Sequence, residues 1–524
     1  MVVAVVTVLW FGVALPAPAL GQPPSGTPAQ QINQIINQPV YASAEWGYLV
    51  TDAGTGRTVQ QLGPDRRLYV PGSSSKLWAL TAAWKTLGPD SRITTPVYAI
   101  GQRSGATLRG SVVLVGQGDL TLGGRTKPDG TIDFRNIDHT VANAIPDVQL
   151  TPEDPLAGLN ALAAQVRARG ITSIVGDVVV DERLFGLDPT FEAPPLPIMI
   201  NDNLIDVVAT PAATAGTKNA VVTTRALVAP YVLSSAAVDT TAPGSPDTFS
   251  AVLGADGKTI TVSGAVPAGG PYALRTVTPV DRVAFARAAF IEALQRAGVR
   301  VSHTANGPGP DPGTLSTGPN AYPAAAQVAS IVSPTYAENA KLILKVSHNP
   351  GASLTICLLA VRLGSSDCEA GWSTVKAFLT GAGINLTEVA LGAPDGGSEA
   401  NRESPRAIVD LLTWWLGQPD GPRFRQALAV PGVDGTDAAD LINSPARGKI
   451  SGKDGLRAAG DALNQRILVA GAAYAGYLDL GNGHTDVVAM FMNGATAADT
   501  PELLRRFEDV IDVTGLLWQQ ASQP

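Results

Sequence analysis

Hydrophobic and polar positions divide the chain into three textures. At the N-terminal end, "PAQQINQIINQP" reads as a short helix behind a Pro/Ser/Gly linker, and "AEWGYLVTDAGTGRTVQQL" as two strands around an Asp/Gly turn. "RRLYVPGSSSKLWALTAAWKTLGPD" runs extended, turns at Pro71-Gly72, and becomes a helix that stops at Gly88-Pro89. From about Ile93 to Gly307 the pattern changes to short strands between Gly/Pro turns, as in "GSVVLVGQGDLTL", "ITSIVGDVVVDERLFG" and "GKTITVSGAV", closed by the helix "PVDRVAFARAAFIEALQRAGV". Helical periodicity then resumes in "TYAENAKLILKVSHN", "LTICLLAVRLG", "WSTVKAFLTGAG" and "SPRAIVDLLTWWLG". "AAYAGYLDLGNGHTDVVAMFMNG" predicts a hairpin turning at Gly481-Asn482-Gly483, and "TPELLRRFEDVIDVTGLLWQQ" a final helix. The order is that of one α/β domain interrupted by a mostly β insertion.

Composition narrows the class. With 524 residues, 45% apolar and 16% charged, the chain is globular and long enough for two or three domains. A formal charge of −8 argues against a nucleic-acid partner, which needs a basic face. Val2 to Leu15 form an apolar run followed by the small-residue pattern Ala17-x-Ala19 and by Gly21, so residues 1–21 read as an export signal. No Lys or Arg precedes the run, and an uncleaved anchor is the other reading. In either case the protein is expected in the cell envelope, periplasmic or extracellular, touching a membrane only through that segment. Cys357 and Cys368 then sit where disulfides persist. A bridge from the helix to its following loop and two inert thiols are both compatible with their spacing.

Several chemistries fail on their motifs. Gly116-Gln117-Gly118 follows a strand, but Thr121 breaks the dinucleotide fingerprint, and no cofactor is expected. The four histidines, His139, His303, His348 and His484, lie far apart in the chain, so no metal site is expected. There is no G-x-S-x-G elbow. What remains is Ser73-x-x-Lys76 at a helix start, where free N–H groups favour an oxyanion and the lysine lies one turn on, on the same face. A desolvated amine beside other cations loses its proton readily and can act as base towards the serine. Lysine is scarce, ten residues against 27 arginines, which lowers the number of accidental matches. A second match, Ser373 to Lys376, falls within an amphipathic helix and reads as a solvated face. Ser347-His348-Asn349 and Lys453-Asp454-Gly455 follow the first match in the order of the S-x-x-K, S-D-N and K-T-G set.

With these motifs the chain resembles the class C low-molecular-mass penicillin-binding proteins, the serine D-alanyl-D-alanine carboxypeptidase/endopeptidases. "YLVTDAGTGRTV", "RLYVPGSSSKL", "LVGQGDLTL", "IVGDVVVDERLFG", "MINDN", "SHN" and "AAGDALN" carry the likeness from about Ile32 to Leu517. The long separation of Ser73 from Ser347 favours this class over β-lactamases. The resemblance implies a penicillin-binding-protein/β-lactamase-like transpeptidase fold of α/β (α+β) class, an antiparallel sheet flanked by helices. Its catalytic domain would comprise residues 22–94 and 326–524, with a β-rich domain inserted at 95–325. It implies peptidoglycan stem peptides as substrate and β-lactams as inhibitors. Ser73 would be the nucleophile and Lys76 its base, with Ser347 and Asn349 relaying a proton and holding substrate. Lys453, beside Gly455, would attract the substrate carboxylate, and the N–H groups of Ser73 and Leu456 would hold the oxyanion.

Two positions depart from the family pattern. His348 stands where Asp is frequent, at a position that varies. Asp454 replaces a hydroxyl residue that meets the substrate carboxylate, and two carboxylates in contact repel by about 4 kcal/mol at an effective dielectric near 20. Protonation of Asp454, rotation away, or a pair with Arg447, Lys449 or Arg457 would relieve it. The alternative function is therefore a catalytically degenerate homologue that binds peptidoglycan or acts as a scaffold.

Overall fold

The computed structural model describes residues 26–523, apart from 147, 187–190, 192–193, 235–237, 308 and 310–311, so the expected export segment lies outside the described residues. Backbone contacts divide the chain into two compact units. The first holds the residues up to Ala79, Phe191, and Lys376 onward, and the second holds Leu80–Pro189 and Ala193–Val375. Residues 80–94 and 326–375, grouped with the catalytic domain in the sequence reading, pack with the second unit.

The first unit is organised by an antiparallel sheet of β1 (Glu45–Asp52), β2 (Thr58–Leu62), β3 (Ile450–Asp461), β4 (Arg466–Gly481) and β5 (His484–Asn493). Their order is β3-β4-β5-β1-β2, which leaves β3 at an edge of that path. The β4–β5 turn has Gly481, Asn482 and Gly483 all at positive φ, +84°, +52° and +78°, the left-handed region that suits Gly and Asn. Among its helices are α1 (Pro28–Ile36), the start of α2 (Lys76–Leu87), α3 (Pro405–Leu416) and α4 (Thr500–Ala521). Three of them begin on a side-chain cap: Thr27 for α1, Ser404 for α3 and Asp499 for α4, each followed by a proline in the first turn.

Both faces of the sheet are covered. Trp46, Val50, Tyr474, Leu478, Val488, Met490 and Met492 share a core with Ile32 and Ile35 of α1 and Val510, Ile511 and Leu517 of α4. On the alternate positions, Tyr477 donates its hydroxyl to Leu412 O of α3 at 3.0 Å, and Trp415 stacks on Phe424. Burial on two sides explains why β4 and β5 read as near-continuous apolar runs.

In the second unit Thr94–Ser104 and Thr107–Val115 form a hairpin inside a six-stranded mixed sheet that also takes Ser173–Val175, Val178–Asp181, Arg300–Val301 and Gln327–Val332. The helices Ala157–Ala168 and Arg282–Arg296 pack on its core through Leu159, Leu162, Phe290 and Leu294. The second matches the helix expected from the sequence to close this block, whereas the first falls where the sequence pattern predicts short strands. No described helix is long and apolar enough to cross a membrane.

The helix Asn349–Arg362 of this unit carries Cys357, which is joined by a disulfide to Cys368 in the turn beyond it. Closing a loop of eleven residues removes chain entropy worth about 2–3 kcal/mol. Replacing both cysteines by serine is expected to lower stability by about that amount, measured by urea unfolding of the oxidised protein and the variant.

Candidate active site

Pro71 and Gly72 bend the chain so that Gly72–Ser75 form a short 3-10 turn leading into α2. Lys76 is fully buried, and its Nζ lies 2.7 Å from Ser73 Oγ and 2.6 Å from the main-chain oxygen of Asp395. Ser73 Oγ also approaches Asp395 O, at 3.3 Å. The serine–lysine pair inferred from spacing is thus in contact, and a backbone carbonyl from a distant loop holds both groups.

Three glycines allow this crowding. A Cβ on Gly455 would lie 2.1 Å from Pro71 O, 2.8 Å from Ser74 N and 2.9 Å from Ser73 N. One on Gly72, whose φ is +55°, would lie 2.5 Å from Leu456 N. One on Gly396, at φ +98°, would lie 2.5 Å from Gly72 O and 2.9 Å from Ser73 N. No side chain fits at any of the three, so strand β3, the 395–397 loop and the serine turn meet backbone to backbone. The backbone nitrogens of Ser73 and Leu456 both border this meeting of chain segments.

Lys453, on β3, is fully buried and pairs with the carboxylate of its neighbour Asp454, while its Nζ also donates to Asp454 O at 2.9 Å. Thr436 Oγ1 donates to the same carboxylate oxygen at 3.0 Å. Asp454 is thus paired by Lys453, a partner outside the expected Arg447, Lys449 and Arg457; Arg447 turns its Nε to Gly432 O at 2.9 Å. The cause is local: the lysine side chain folds back along its own strand and reaches the next residue. Behind this pair lies the buried Asp437, whose carboxyl is pushed well above the ordinary range by burial and by the charges of Asp454 and Asp440.

Glu403 was not foreseen as a site residue. It is fully buried under the serine turn, with its two carboxyl oxygens hydrogen-bonded to Ser74 Oγ at 2.7 Å and Trp78 Nε1 at 2.5 Å. Burial raises its carboxyl to about 7, against the lowering effect of those two hydrogen bonds. Ser74 Oγ also lies 3.0 Å from Pro71 O, yet a hydroxyl has one proton. A protonated Glu403 resolves the count: it donates to Ser74, Ser74 donates to Pro71 O, and Trp78 donates to the remaining carboxyl oxygen.

Ser347 and Asn349 are carried by the second unit, whereas Ser73, Lys76 and Lys453 to Leu456 belong to the first. Ser347 has a φ of +58°, uncommon for a residue other than glycine. His348 caps the helix Asn349–Arg362: its Nδ1 accepts from Gly351 N–H at 3.0 Å, which leaves the proton on Nε2, 2.9 Å from Asp202 Oδ1. Asp202 continues into a buried network, with Arg125 at 2.6 Å and His139 Nε2 at 2.8 Å on its second oxygen. Arg125 reaches Asp138 at 2.6 Å, and His139 Nδ1 reaches Asp206 at 2.6 Å. Burial alone would raise the Asp202 carboxyl, but Arg125 and His348 hold it well below the ordinary range. Asp206 and Asp202 overcome the opposing effect of burial on His139 and raise it to about 10. His348 is thus the fixed end of a buried hydrogen-bonded network, a role that the motif order alone does not disclose. A signal for it existed in "MINDN", where Asn201, Asp202 and Asn203 all adopt positive φ, a strain that neighbouring groups must hold in place.

A model of the D-Ala-D-Ala carboxypeptidase 3 (S13) family matches residues 28–507. A D-alanyl-D-alanine carboxypeptidase from Actinomadura sp. (strain R39) is 26% identical over 533 residues, covering 94% of this chain and 90% of the relative. Penicillin binding protein 4 from Haemophilus influenzae superposes with a TM-score of 0.66 at 18% identity, covering 94% of this chain and 99% of that one. Its structure complexed with a β-lactam gives 0.63 at 17% identity, with the same coverage of both chains.

Glu403 makes the pH dependence of folding specific. Its folded pKa lies above the ordinary carboxylate value, so the native state holds a proton that the unfolded chain releases, and stability is lost as pH rises from about 4.5 to about 7. The loss is on the order of 3 kcal/mol. Glu403→Gln is expected to remove that component, seen as a flatter difference between unfolding midpoints at pH 5 and pH 7.5 than in the unaltered protein.

Proposed function

The chain belongs to the D-Ala-D-Ala carboxypeptidase 3 (S13) family, and on that premise we propose that Ser73 is its acylated nucleophile and Lys76 the base that serves it. The protein is a serine D-alanyl-D-alanine carboxypeptidase of the low-molecular-mass penicillin-binding type, with the fold of that group. The contact of Lys76 Nζ with Ser73 Oγ at 2.7 Å is the observation that carries the site assignment.

The reaction follows from the groups around that contact. Lys76 keeps one N–H on Asp395 O and offers its lone pair to the serine proton as Oγ attacks the carbonyl carbon between two D-alanines. Charge that develops on the carbonyl oxygen is taken up by the N–H groups of Ser73 and Leu456, a reading supported by the close backbone approach at Gly72, Gly396 and Gly455. The C–N bond breaks, the proton passes to the departing amine, and terminal D-alanine leaves an ester on Ser73. Water activated by the same amine then hydrolyses the ester. In the family's motif order Ser347 relays the proton and Asn349 holds a substrate amide.

Peptidoglycan stem peptides in the cell envelope are the substrates this reading assigns, and β-lactams acylate the same serine. The substrate's terminal carboxylate meets Lys453 and Asp454 as an ion pair with Thr436 beside it, not a bare anion. The repulsion of about 4 kcal/mol that motivated a degenerate scaffold is thereby largely cancelled by a cation at contact distance. The family membership and this pairing both favour a working enzyme.

Two measurements test this. Fluorescent penicillin should label the protein covalently and fail to label Ser73→Ala; equal labelling of both would remove Ser73 from the mechanism. Asp454→Thr should change the acylation rate by no more than about tenfold, the size of one modest electrostatic contribution. If the unaltered protein were inert and Asp454→Thr active, the scaffold reading would replace this one.

A further inference from the structure

Asp52, His484 and Asp486 meet at one end of the sheet. Asp52 on β1 is the direct cross-strand partner of Asp486 on β5, and His484 lies two residues before Asp486, on the same face of that strand. Two carboxylates directly opposite each other destabilise a sheet unless something positive lies between them. His484 Nε2 stands 3.5 Å from Asp52 Oδ2 and 3.5 Å from Asp486 Oδ1, and the three ligand atoms all lie within 4.8 Å of one another. That spacing is too long for good hydrogen bonds.

The donors are prepared for something else. Asp486 is 1% exposed, and its Oδ1, the atom aimed at the imidazole, has no hydrogen-bond partner. Asp52 uses its other oxygen, Oδ1, to accept from Thr55 N at 2.7 Å and Thr55 Oγ1 at 3.0 Å, which leaves Oδ2 turned to the cluster. Arg57 is the nearby cation whose field reaches Asp486. A tetrahedral ion with bonds of about 2.0–2.1 Å places its ligands about 3.4 Å apart, which matches the two nitrogen–oxygen separations. One imidazole and two carboxylates form a donor set suited to a small transition ion of the zinc kind, and too few oxygens for calcium. His139 and His348 are held in the buried network of the second unit, while His484 is 52% exposed and open to an ion from solution.

We propose that Asp52 Oδ2, His484 Nε2 and Asp486 Oδ1 bind one divalent transition-metal ion of the zinc class, with water as the fourth ligand, fastening the β4–β5 turn to β1. The spacing rule that led to an expectation of no metal misses this site because Asp52 is brought in by strand pairing and not by local sequence.

The test uses full-length protein without a histidine tag, stripped with EDTA and dialysed against micromolar zinc chloride, with bound metal read by mass spectrometry. One zinc per chain is expected. His484→Gln and Asp486→Asn should each weaken binding by about tenfold or more, and the double variant should retain none at that concentration. The cobalt-loaded protein should show the strong visible absorption of a tetrahedral site. Fluorescent penicillin labelling, unchanged in the variants, confirms that they are folded and separates this test from that of the peptidase reading. Less than a tenth of an equivalent of zinc, or equal zinc in the double variant, overturns the proposal.

Discussion

Backbone-to-backbone contact at Ser73 is the constraint on which the rest of the site depends. Gly72, Gly396 and Gly455 have no room for a side chain because three strands of main chain converge there. That convergence places the edge of β3 against the serine turn. It also delivers the Asp395 carbonyl to both Ser73 and Lys76. The sheet, covered on both faces by α1, α4 and α3, exists in this sense to hold one edge strand still.

Two buried carboxylate sites, one in each unit, treat charge in opposite ways. In the second unit, Asp202 stays ionised because Arg125, His139 and His348 surround it, and each partner is hydrogen-bonded in turn. In the first, Glu403 and Asp437 have burial as the dominant influence, so both carboxyls are driven toward the neutral form. A neutral acid under the serine turn donates a proton into a hydrogen-bond chain without placing a negative charge behind the nucleophile.

What the sequence disclosed was whatever is local. The Pro71-Gly72 turn, the helix after it and the spacing of Ser73 to Lys76 announce themselves, as do the two strands around Gly481-Asn482-Gly483. Asp395 escaped because it acts through its main-chain oxygen, which no residue type marks. Glu403 escaped because its partners Ser74 and Trp78 are more than 300 residues away in sequence. His348 was visible as a departure, but its meaning lies in Asp202, again a tertiary partner. The helix Ala157–Ala168 was lost among strand signals, since its apolar face is short and lies between the proline-bearing segment "TPEDPL" and the strand Ser173–Val175. Asp454 was judged against a hypothetical ligand when its real partner was the preceding residue.

The pairing of Glu45 with Asn493 and of Asp52 with Asp486 has a consequence for how the molecule comes into being. β1 leaves the ribosome early, yet its neighbour in the sheet is among the last segments to be made. Loop closure over more than 400 residues must therefore precede any lasting order in the first unit, a slow, non-local step. Until β3, β4 and β5 have been made and paired with β1, Ser73 has no ordered strand edge to face and Lys76 no sheet beside its helix. A nascent or C-terminally shortened chain thus carries the nucleophile without the surroundings that its chemistry needs.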